Sequence, residues 1–460
     1  MRTEVVILAA GKGTRMHSAK PKVLHCIGGK AMIEHVVDTA RCLEVEQIHL
    51  VLGFGAELVK NELKRNSEPE KQLKWAQQDK QLGTGHALAQ AMPAIAESTD
   101  LVLVLYGDVP LIKTLTLKKL ISKANHDTLS LLTLVSQDPK GLGRIIRDDQ
   151  DNVVAIVEEK DASGVHKKIS ETNSGIMVIP ARRLAKWLPK IANTNNQGEF
   201  YLTDIIAMAV EDECKVTASV ITNELEVLGV NDKIQLSRLE RHYQIELAQA
   251  LLKDGITLRD PNRIDIRGEL VCGEDVEIDI NTIFEGKVNI GNNVKIGANT
   301  VIKDSRIGNG VVILPGSIID TAIIANNSSI GPMARLRPGT VVGEGAKIGN
   351  FVETKKARIG AGSKISHLSY IGDAELGVDV NVGAGTIVCN YDGVNKHTTT
   401  MGDRVFVGSN SVLVSPVNIA DDAFIAAGST VNSDVEKGSL AVARAKQRNI
   451  PGWKRPVKKK

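Results

Sequence analysis

At 460 residues and 49.5 kDa the chain is too long for one ordinary domain and points to roughly two or three. Hydrophobic residues at 42% and charged residues at 24% exclude wholesale disorder. A net charge of only +3, from 57 Lys and Arg against 54 Asp and Glu, argues against a protein that coats nucleic acid through overall charge.

Met1 runs almost directly into the apolar run Val5–Ala9, which reads as a buried strand, with no basic stretch and cleavage site ahead of it. No apolar run approaches the roughly 18 residues of a membrane span. The five cysteines (Cys26, Cys42, Cys214, Cys272 and Cys389) are scattered and without a C-x-x-C pair. A disulfide framework or structural zinc is therefore not expected, and a cytoplasmic location is.

Further strands are expected at Ile48–Leu52, Leu101–Leu105, Ser130–Leu134 and Gly175–Ile179, alternating with helices at Ile33–Cys42, Thr84–Met92 and Thr203–Val210. That alternation predicts a largely parallel sheet covered on both faces, with ligands beyond the carboxyl ends of its strands. Three segments fall at such places. After the first strand comes Leu8–Met16, containing Gly11-Lys12-Gly13, with Pro21-Lys22 close behind. A Gly-rich turn of this kind lets backbone N–H groups approach a phosphate, although an ordinary tight turn is the other reading of these residues alone. The third glycine of G-x-G-x-x-G is Met16 here, and Lys12, Arg15 and Lys22 crowd the segment, which suits a polyphosphate undergoing bond cleavage better than a dinucleotide held intact. Tyr106-Gly107-Asp108 ends another strand; Asp108 is either a Mg²⁺ ligand or a turn or cap residue. Gln81–Gly85 is a second Gly-rich loop that runs into a helix.

Residues 231–255 carry Ile234, Leu236, Leu239, Tyr243, Leu247 and Leu251 at roughly helical spacing, which predicts one long helix joining the two halves. Beyond it, aliphatic residues recur every six positions, at Ile290, Ile296 and Ile302, then from Ile318 through Ile324, Ile330, Leu336 and Val342 to Ile348. The period returns at Ile359, Ile365 and Ile371, at Met401, Val407 and Leu413, and at Ile419, Ile425 and Val431. Such a repeat is the signature of a parallel β-helix, each aliphatic residue pointing inward onto one continuous column. Many are followed by glycine, expected to supply a positive φ at the corners. The period breaks at 390–400, a polar segment opening Asn390-Tyr391-Asp392-Gly393, and a loop on a rigid scaffold is where binding residues tend to lie. His367, between Ile365 and Ile371, is a candidate base, a structural histidine being the other reading. The basic tail 454–460 reads as a solvated end, with Trp453 ahead of it as a weak hint of docking near an anionic cofactor.

Leu8–Met16 with Pro21-Lys22, Gln81–His86, Tyr106–Asp108, Asn390–Gly393 and the repeats carry a resemblance that covers nearly the whole length. The N-terminal half resembles the sugar-phosphate nucleotidyltransferases. The whole chain resembles the bacterial bifunctional N-acetylglucosamine-1-phosphate uridylyltransferase and glucosamine-1-phosphate N-acetyltransferase family. The resemblance implies an α/β Rossmann-like nucleotidyltransferase domain at 1–230, a linker helix at 231–255, and a left-handed parallel β-helix of hexapeptide repeats at 256–460. It implies that Leu8 and Gly11 bind nucleotide, that Gln78, Gly83 and Thr84 hold uracil, and that Arg15 and Lys22 neutralise the triphosphate of UTP and the departing pyrophosphate. Tyr106 would border the same site, Asp108 and Asn231 would bind Mg²⁺, and Gly143, Glu158 and Asn173 would position the sugar. In the second half, His367 would deprotonate the amine, with Arg337, Lys355, Tyr370, Asn381 and Lys396 on the amino-sugar phosphate. Ala384, Asn390, Tyr391, Ser409, Ala427 and Arg444 would contact acetyl-CoA, and the β-helix would assemble as a homotrimer.

Other readings keep the first half as an enzyme and make the β-helix a regulatory or trimerising module, or make the whole chain a catalytically silent regulator. Retention of His367 and the Asn390 loop speaks against the former, and the whole Arg15, Lys22 and Asp108 set against the latter. A β-helix carbonic anhydrase needs three His on zinc, and the repeats offer His367 and His397.

Overall fold

The computed structural model describes residues 1–66 and 73–458, so Lys459 and Lys460 of the basic tail lie outside the described residues. The chain divides into two compact units, Met1–Tyr243 and 244–460.

The first unit is built on a sheet of seven principal strands: β1 (Thr3–Ala9), β2 (Gln47–Leu52), β3 (Leu73–Gln77), β4 (Leu101–Tyr106), β5 (Thr128–Val135), β6 (Glu171–Pro180) and β7 (Lys215–Ile221). Their order is β7-β5-β6-β4-β1-β2-β3. Every residue of β1 is buried, because alternate side chains enter different layers. Val5, Ile7 and Ala9 join one apolar cluster with the helix Met32–Arg41, whereas Val6 and Leu8 join another with the helix Thr84–Ala91. Covered on both faces, such strands read as unbroken apolar runs, which is why β1 and β4 were visible in the sequence.

The sheet is mixed where a largely parallel one was expected. β1 pairs in parallel with β2 and β4, but β6 runs antiparallel to both β4 and β5. The cause lies in the connection from β5 to β6. It contains the antiparallel hairpin Arg144–Arg147 with Val153–Val157 and no crossover helix, so the chain turns back at the end of β5. From β1 the chain lays β2 and β3 on one side and returns to place β4 on the other. A crevice therefore opens at the carboxyl ends of β1 and β4.

The helix Lys233–Lys253 is present, and the boundary between the units falls within it. Leu236, Leu239 and Tyr243 pack in the first unit, and Leu247, Ala248 and Leu251 in the second.

The second unit is a parallel β-helix in which each coil contributes short strands to stacked parallel sheets. One apolar column runs through it and includes Ile290, Ile296, Ile302, Ile330, Ile348, Ile365, Val407 and Ile425. The repeat differs from expectation at one point. Ile319 is buried and Ile318 is 45% exposed, because the steps from Ile302 to Ile307 and from Ile319 to Ile324 are each five residues long. A five-residue step keeps the inward direction only by shortening a corner, so a strict six-residue count back from Ile324 lands one position early.

Of the glycines directly after the inward residues, Gly331 behind Ile330 has the expected positive φ, but others act differently. Gly291, Gly349 and Gly408 do not have positive φ. A Cβ on Gly349 would lie 1.9 Å from Ser366 O, and one on Gly408 2.4 Å from Ala427 N, so close stacking of the next coil excludes a side chain. The left-handed corner sits three residues after the inward residue, at Asn293, Asn299, Asn327, Asp379, Asn410 and Asp422 as well as Gly310 and Gly385. Side-chain oxygens tie neighbouring corners together: Asn292 Oδ1 accepts from Glu274 N at 2.8 Å, and Asn309 Oδ1 from Asn292 N at 2.8 Å.

Candidate active sites

Three strand ends build the first site. β1 leads into Ala10-Gly11, β3 into Gln78 and β4 into Gly107-Asp108, and these loops surround a cavity of about 240 Å³. Leu8, Gly11, Lys22, Gln78, Gly83, Thr84, Tyr106 and Asp108, all singled out from the sequence, line it. A side chain on Gly11 would project into open space, which leaves its backbone accessible. Gly83 has φ 107, and a Cβ there would lie 2.6 Å from Phe200 O. The Gln78 amide is buried and donates to Gly83 O at 3.2 Å and to His86 Nδ1 at 2.9 Å. Thr84 Oγ1 accepts from Leu202 N at 3.1 Å. These bonds hold the Gly-rich turn as a wall before any ligand arrives.

A second cavity of about 330 Å³ shares Tyr106 and Asp108 with the first and adds Asn173 and Asn231. At the junction, Lys22 Nζ donates to Asp108 Oδ2 and, at 3.1 Å, to Asn231 Oδ1. Asn231 arrives from far along the chain because Val230 N donates to Asp108 O at 2.9 Å, which folds the segment back against β4. Two oxygen donors, one of them anionic, thus converge on one cation. Hard oxygen ligands of this kind fit Mg²⁺, which completes its shell with water and phosphate oxygens.

Gly143, Glu158 and Asn173 form a neighbouring group, although the first two line neither cavity. Asn173 N donates to Gly143 O at 2.9 Å, and a Cβ on Gly143 would come 3.5 Å from the Glu158 carboxyl. Thr203 Oγ1 donates to Glu158 Oε1 at 3.0 Å. Burial raises the Glu158 carboxyl above its ordinary range, and the nearby Asp204, Asp161 and Glu199 push the same way. Burial likewise pushes the Tyr106 phenol up. Arg15 also lines neither cavity: Gly13 and His17, both left-handed, turn the segment Thr14–Met16 so that Met16 is buried and Arg15 is exposed.

Sequence reasoning passed over Gln81 and Glu199 in the first cavity, and Ser136, Lys140, Glu224 and Arg238 in the second. Gln81 stood inside a recognised loop. Glu199 and Lys140 come from irregular segments whose composition carries no signal, Ser136 directly follows β5, and Glu224 opens a short helix. Arg238 stands on the helix Lys233–Lys253, whose apolar period does not mark its polar positions.

In the β-helix the expected residues lie across several coils, exposed or half-buried except for Asn390, which is buried. His367 is exposed and pairs in register with Asn350 on the preceding coil. Its Nδ1 lies 2.6 Å from Asn350 Oδ1. With the amide oxygen as acceptor, Nδ1 carries the ring proton and Nε2 presents a lone pair. Asn350 was not anticipated; its signal is the 17-residue offset that stacks one coil on the next. Arg337 pairs with Glu353 at 2.8 Å, and Glu353 is the register neighbour of Tyr370. Lys355 faces Gly372 in the same ladder, and Asn381 pairs with Lys364.

Ala384, Ser409 and Ala427 each follow an inward residue by two positions and so stack along one edge. Their stacking is visible in Asn410 N donating to Ala384 O at 2.7 Å and Gly428 N to Ser409 O at 2.8 Å. Arg444 lies beside Gly428, where a Cβ would be 3.9 Å from Arg444 Cδ. In the loop at 390–400, the buried Asn390 amide donates to Asp373, and Lys396 Nζ stands 4.1 Å from the centre of the Tyr391 ring. His397, 2.7 Å from Asp392, holds that carboxyl well below its usual range together with two backbone N–H groups. Trp453 is 67% exposed. Among the described residues no helix is long and apolar enough to cross a membrane.

Residues 5–189 match the MobA-like NTP transferase domain, and residues 266–352 the GMPPB C-terminal domain. The chain is 56% identical over 454 residues to the Bifunctional protein GlmU of Marinobacter nauticus, covering 99% of each chain. It is 54% identical over 460 residues to that of Pseudomonas putida strain GB-1, covering 100% of each.

Proposed function

Since the chain belongs to the family of bifunctional GlmU proteins, we propose how its residues divide two successive reactions. The enzyme makes UDP-N-acetylglucosamine: the β-helix half N-acetylates glucosamine-1-phosphate with acetyl-CoA, and the nucleotidyltransferase half transfers uridylyl from UTP to the product, releasing pyrophosphate.

The observation that carries the assignment of residues is the meeting of two cavities at Tyr106 and Asp108. A nucleotide in the first and a sugar phosphate in the second would bring their phosphates together over one carboxylate. Gly11 offers backbone to the phosphates, while Gln78, Gly83 and Thr84 hold uracil. Gly143, Glu158 and Asn173 position the sugar. The sugar-1-phosphate oxygen attacks the α-phosphorus as the bond to pyrophosphate breaks on the opposite side. Arg15 and Lys22 neutralise the departing charge, Arg15 by reaching in from the exposed turn. Asp108 and Asn231 would hold a Mg²⁺, whose chemistry is to neutralise phosphate oxygens. Little covalent work falls to the protein, and alignment supplies most of the acceleration.

In the second half, Nε2 of His367 takes a proton from the substrate ammonium as the nitrogen attacks the thioester carbonyl, and CoA leaves as the thiol. Arg337, Lys355, Tyr370, Asn381 and Lys396 hold the amino-sugar phosphate. Ala384, Asn390, Tyr391, Ser409, Ala427 and Arg444 hold acetyl-CoA, Ala384 through its backbone. A homotrimer through the β-helix is supported by Met333, Phe351 and Leu368. These large apolar residues are 56%, 54% and 60% exposed in left-handed conformations, and Leu368 directly follows His367. A cytoplasmic location fits this small-molecule chemistry.

Incubation with glucosamine-1-phosphate, acetyl-CoA, UTP and Mg²⁺, with thiol and pyrophosphate followed separately, tests the assignment. Thiol release should proceed without UTP, and pyrophosphate release should require acetyl-CoA. Pyrophosphate release from glucosamine-1-phosphate alone, as fast as with acetyl-CoA, would overturn the order.

A further inference from the structure

Lys22 stands in an unusual relation to the groups around it. Its backbone is held in the short helix Lys22–Leu24, and its stem passes over Gly13, where a Cβ would lie 2.7 Å from Lys22 Cβ. Glycine at that position leaves the stem its path. The ammonium then reaches across the mouth shared by the two cavities to Asp108 Oδ2 and Asn231 Oδ1. Both side chains of the ion pair are largely withdrawn from solvent, at 13% for Lys22 and 18% for Asp108. The donors assigned above to a divalent cation are thus the acceptors of this lysine.

We propose that Lys22 is a resident cation of the uridylyl-transfer site: it occupies the metal position in the free enzyme and is exchanged onto substrate phosphate when the metal enters. The inference rests on the reading of Asp108 and Asn231 as metal ligands. An ammonium and a divalent ion crowded onto the same two oxygens repel each other and compete for the same electron density, so each weakens the other's hold. In the free enzyme the lysine spares Asp108 the cost of standing half-buried and unpaired. When a metal–nucleotide pair arrives, the carboxylate exchanges one cation for another and the lysine gains a phosphate oxygen in the first cavity, which Lys22 also lines. No charge is left unpaired at any stage. The arrangement makes metal binding without nucleotide weak and metal binding with nucleotide strong, so that the cation arrives with its cargo.

The test is binding of Mn²⁺ alone to the full-length protein, read as loss of the free-ion electron paramagnetic resonance signal. Lys22→Met keeps the stem and removes the charge, and should tighten Mn²⁺ binding by about tenfold or more, the scale of a lost charged hydrogen bond. Lys22→Arg keeps the competing charge and should bind as weakly as the parent. Adding Asp108→Asn to Lys22→Met should abolish the gain. Unchanged or weaker Mn²⁺ binding by Lys22→Met, with Asp108→Asn still weakening the parent, would overturn the exchange while leaving the metal ligands in place. A gain that survives Asp108→Asn would place the ion elsewhere and overturn both.

Discussion

The two units present side chains to phosphorylated sugars in opposite ways. In the first, loops at the ends of β1, β3 and β4 fold into concave walls, and Gln78 and Asn173 are buried with Asp108 nearly so. In the second, an apolar column fills the inside of the coils, and His367, Tyr391, Lys396 and Arg444 stand exposed on the outside of them. A sheet with loops at one edge can desolvate a charge within one chain. A coil stack offers an accurate ruler, with positions repeating every 17 or 18 residues, but little enclosure. Burial therefore perturbs Glu158 and Tyr106 in the first unit, whereas His367 depends on one neighbour, Asn350, for its orientation.

The sharpest way to break this comparison is to remove one group from each unit. His367→Ala should lower acetyl transfer by about 10²–10⁴-fold and leave uridylyl transfer near normal, with Asp108→Ala doing the reverse. The measurement is thiol release with glucosamine-1-phosphate and acetyl-CoA and, separately, pyrophosphate release with N-acetylglucosamine-1-phosphate and UTP. Loss of both activities in either folded variant would refute the division.

Two glycines separate stacking from access. Gly349→Ala forces a Cβ against Ser366 O and should cost about 1–3 kcal/mol in denaturant unfolding. Gly11→Ala meets no neighbouring atom and should leave the unfolding midpoint unchanged, yet slow uridylyl transfer by about tenfold by blocking the backbone. An unaltered rate would mean that the Gly11 backbone is not where phosphate approaches.

A smaller effect is expected at Asn350. With Asn350→Ala the His367 ring loses its acceptor at Nδ1, and acetyl transfer should fall about tenfold in kcat with KM for acetyl-CoA little changed. A change confined to KM would point to a binding role instead.

The smallest concerns stability against pH. Glu158 titrates above its ordinary 4.5 in the folded chain because burial penalises its charge. Where the folded chain still holds that proton and the unfolded chain has released it, stability falls as pH rises; below about 4.5 the group contributes no slope. Glu158→Gln should therefore raise Tm modestly at pH 8 and much less at pH 4, while impairing uridylyl transfer. An equal gain at both values would assign the effect to packing.

The first site was more legible than the second, for a reason visible in particular residues. Gly11, Lys22, Gly83 and Asp108 lie just beyond apolar runs or in Gly-rich loops, where periodicity marks a strand end and chemistry follows it. Asn231 could be assigned only by resemblance, since nothing local says that it folds back onto β4. Glu199 was missed because its segment has no period at all, and Arg238 because the period of the helix Lys233–Lys253 marks its apolar positions and not its polar ones. In the β-helix the column was legible except at Ile318, where five-residue steps shift the frame by one. The glycines after the inward residues, Gly331 apart, serve another property than the positive φ expected of them: they permit coils to stack, and the left-handed corners lie two residues further on, largely on Asn, Asp and Gly.

The amino-acid order alone thus determined where the unbroken apolar runs lie, which residues recur at period six, and where each pattern stops, because a strand covered on both faces and a repeated coil each impose their own pattern through backbone geometry. It also determined which chemical groups follow the stops. Only the tertiary structure decided that β6 runs against its neighbours, that Lys22 spans Asp108 and Asn231, and that Asn350 holds the ring of His367. Those relations join residues 17 to 209 positions apart, and a contact across such a span is set by how packed layers close upon one another.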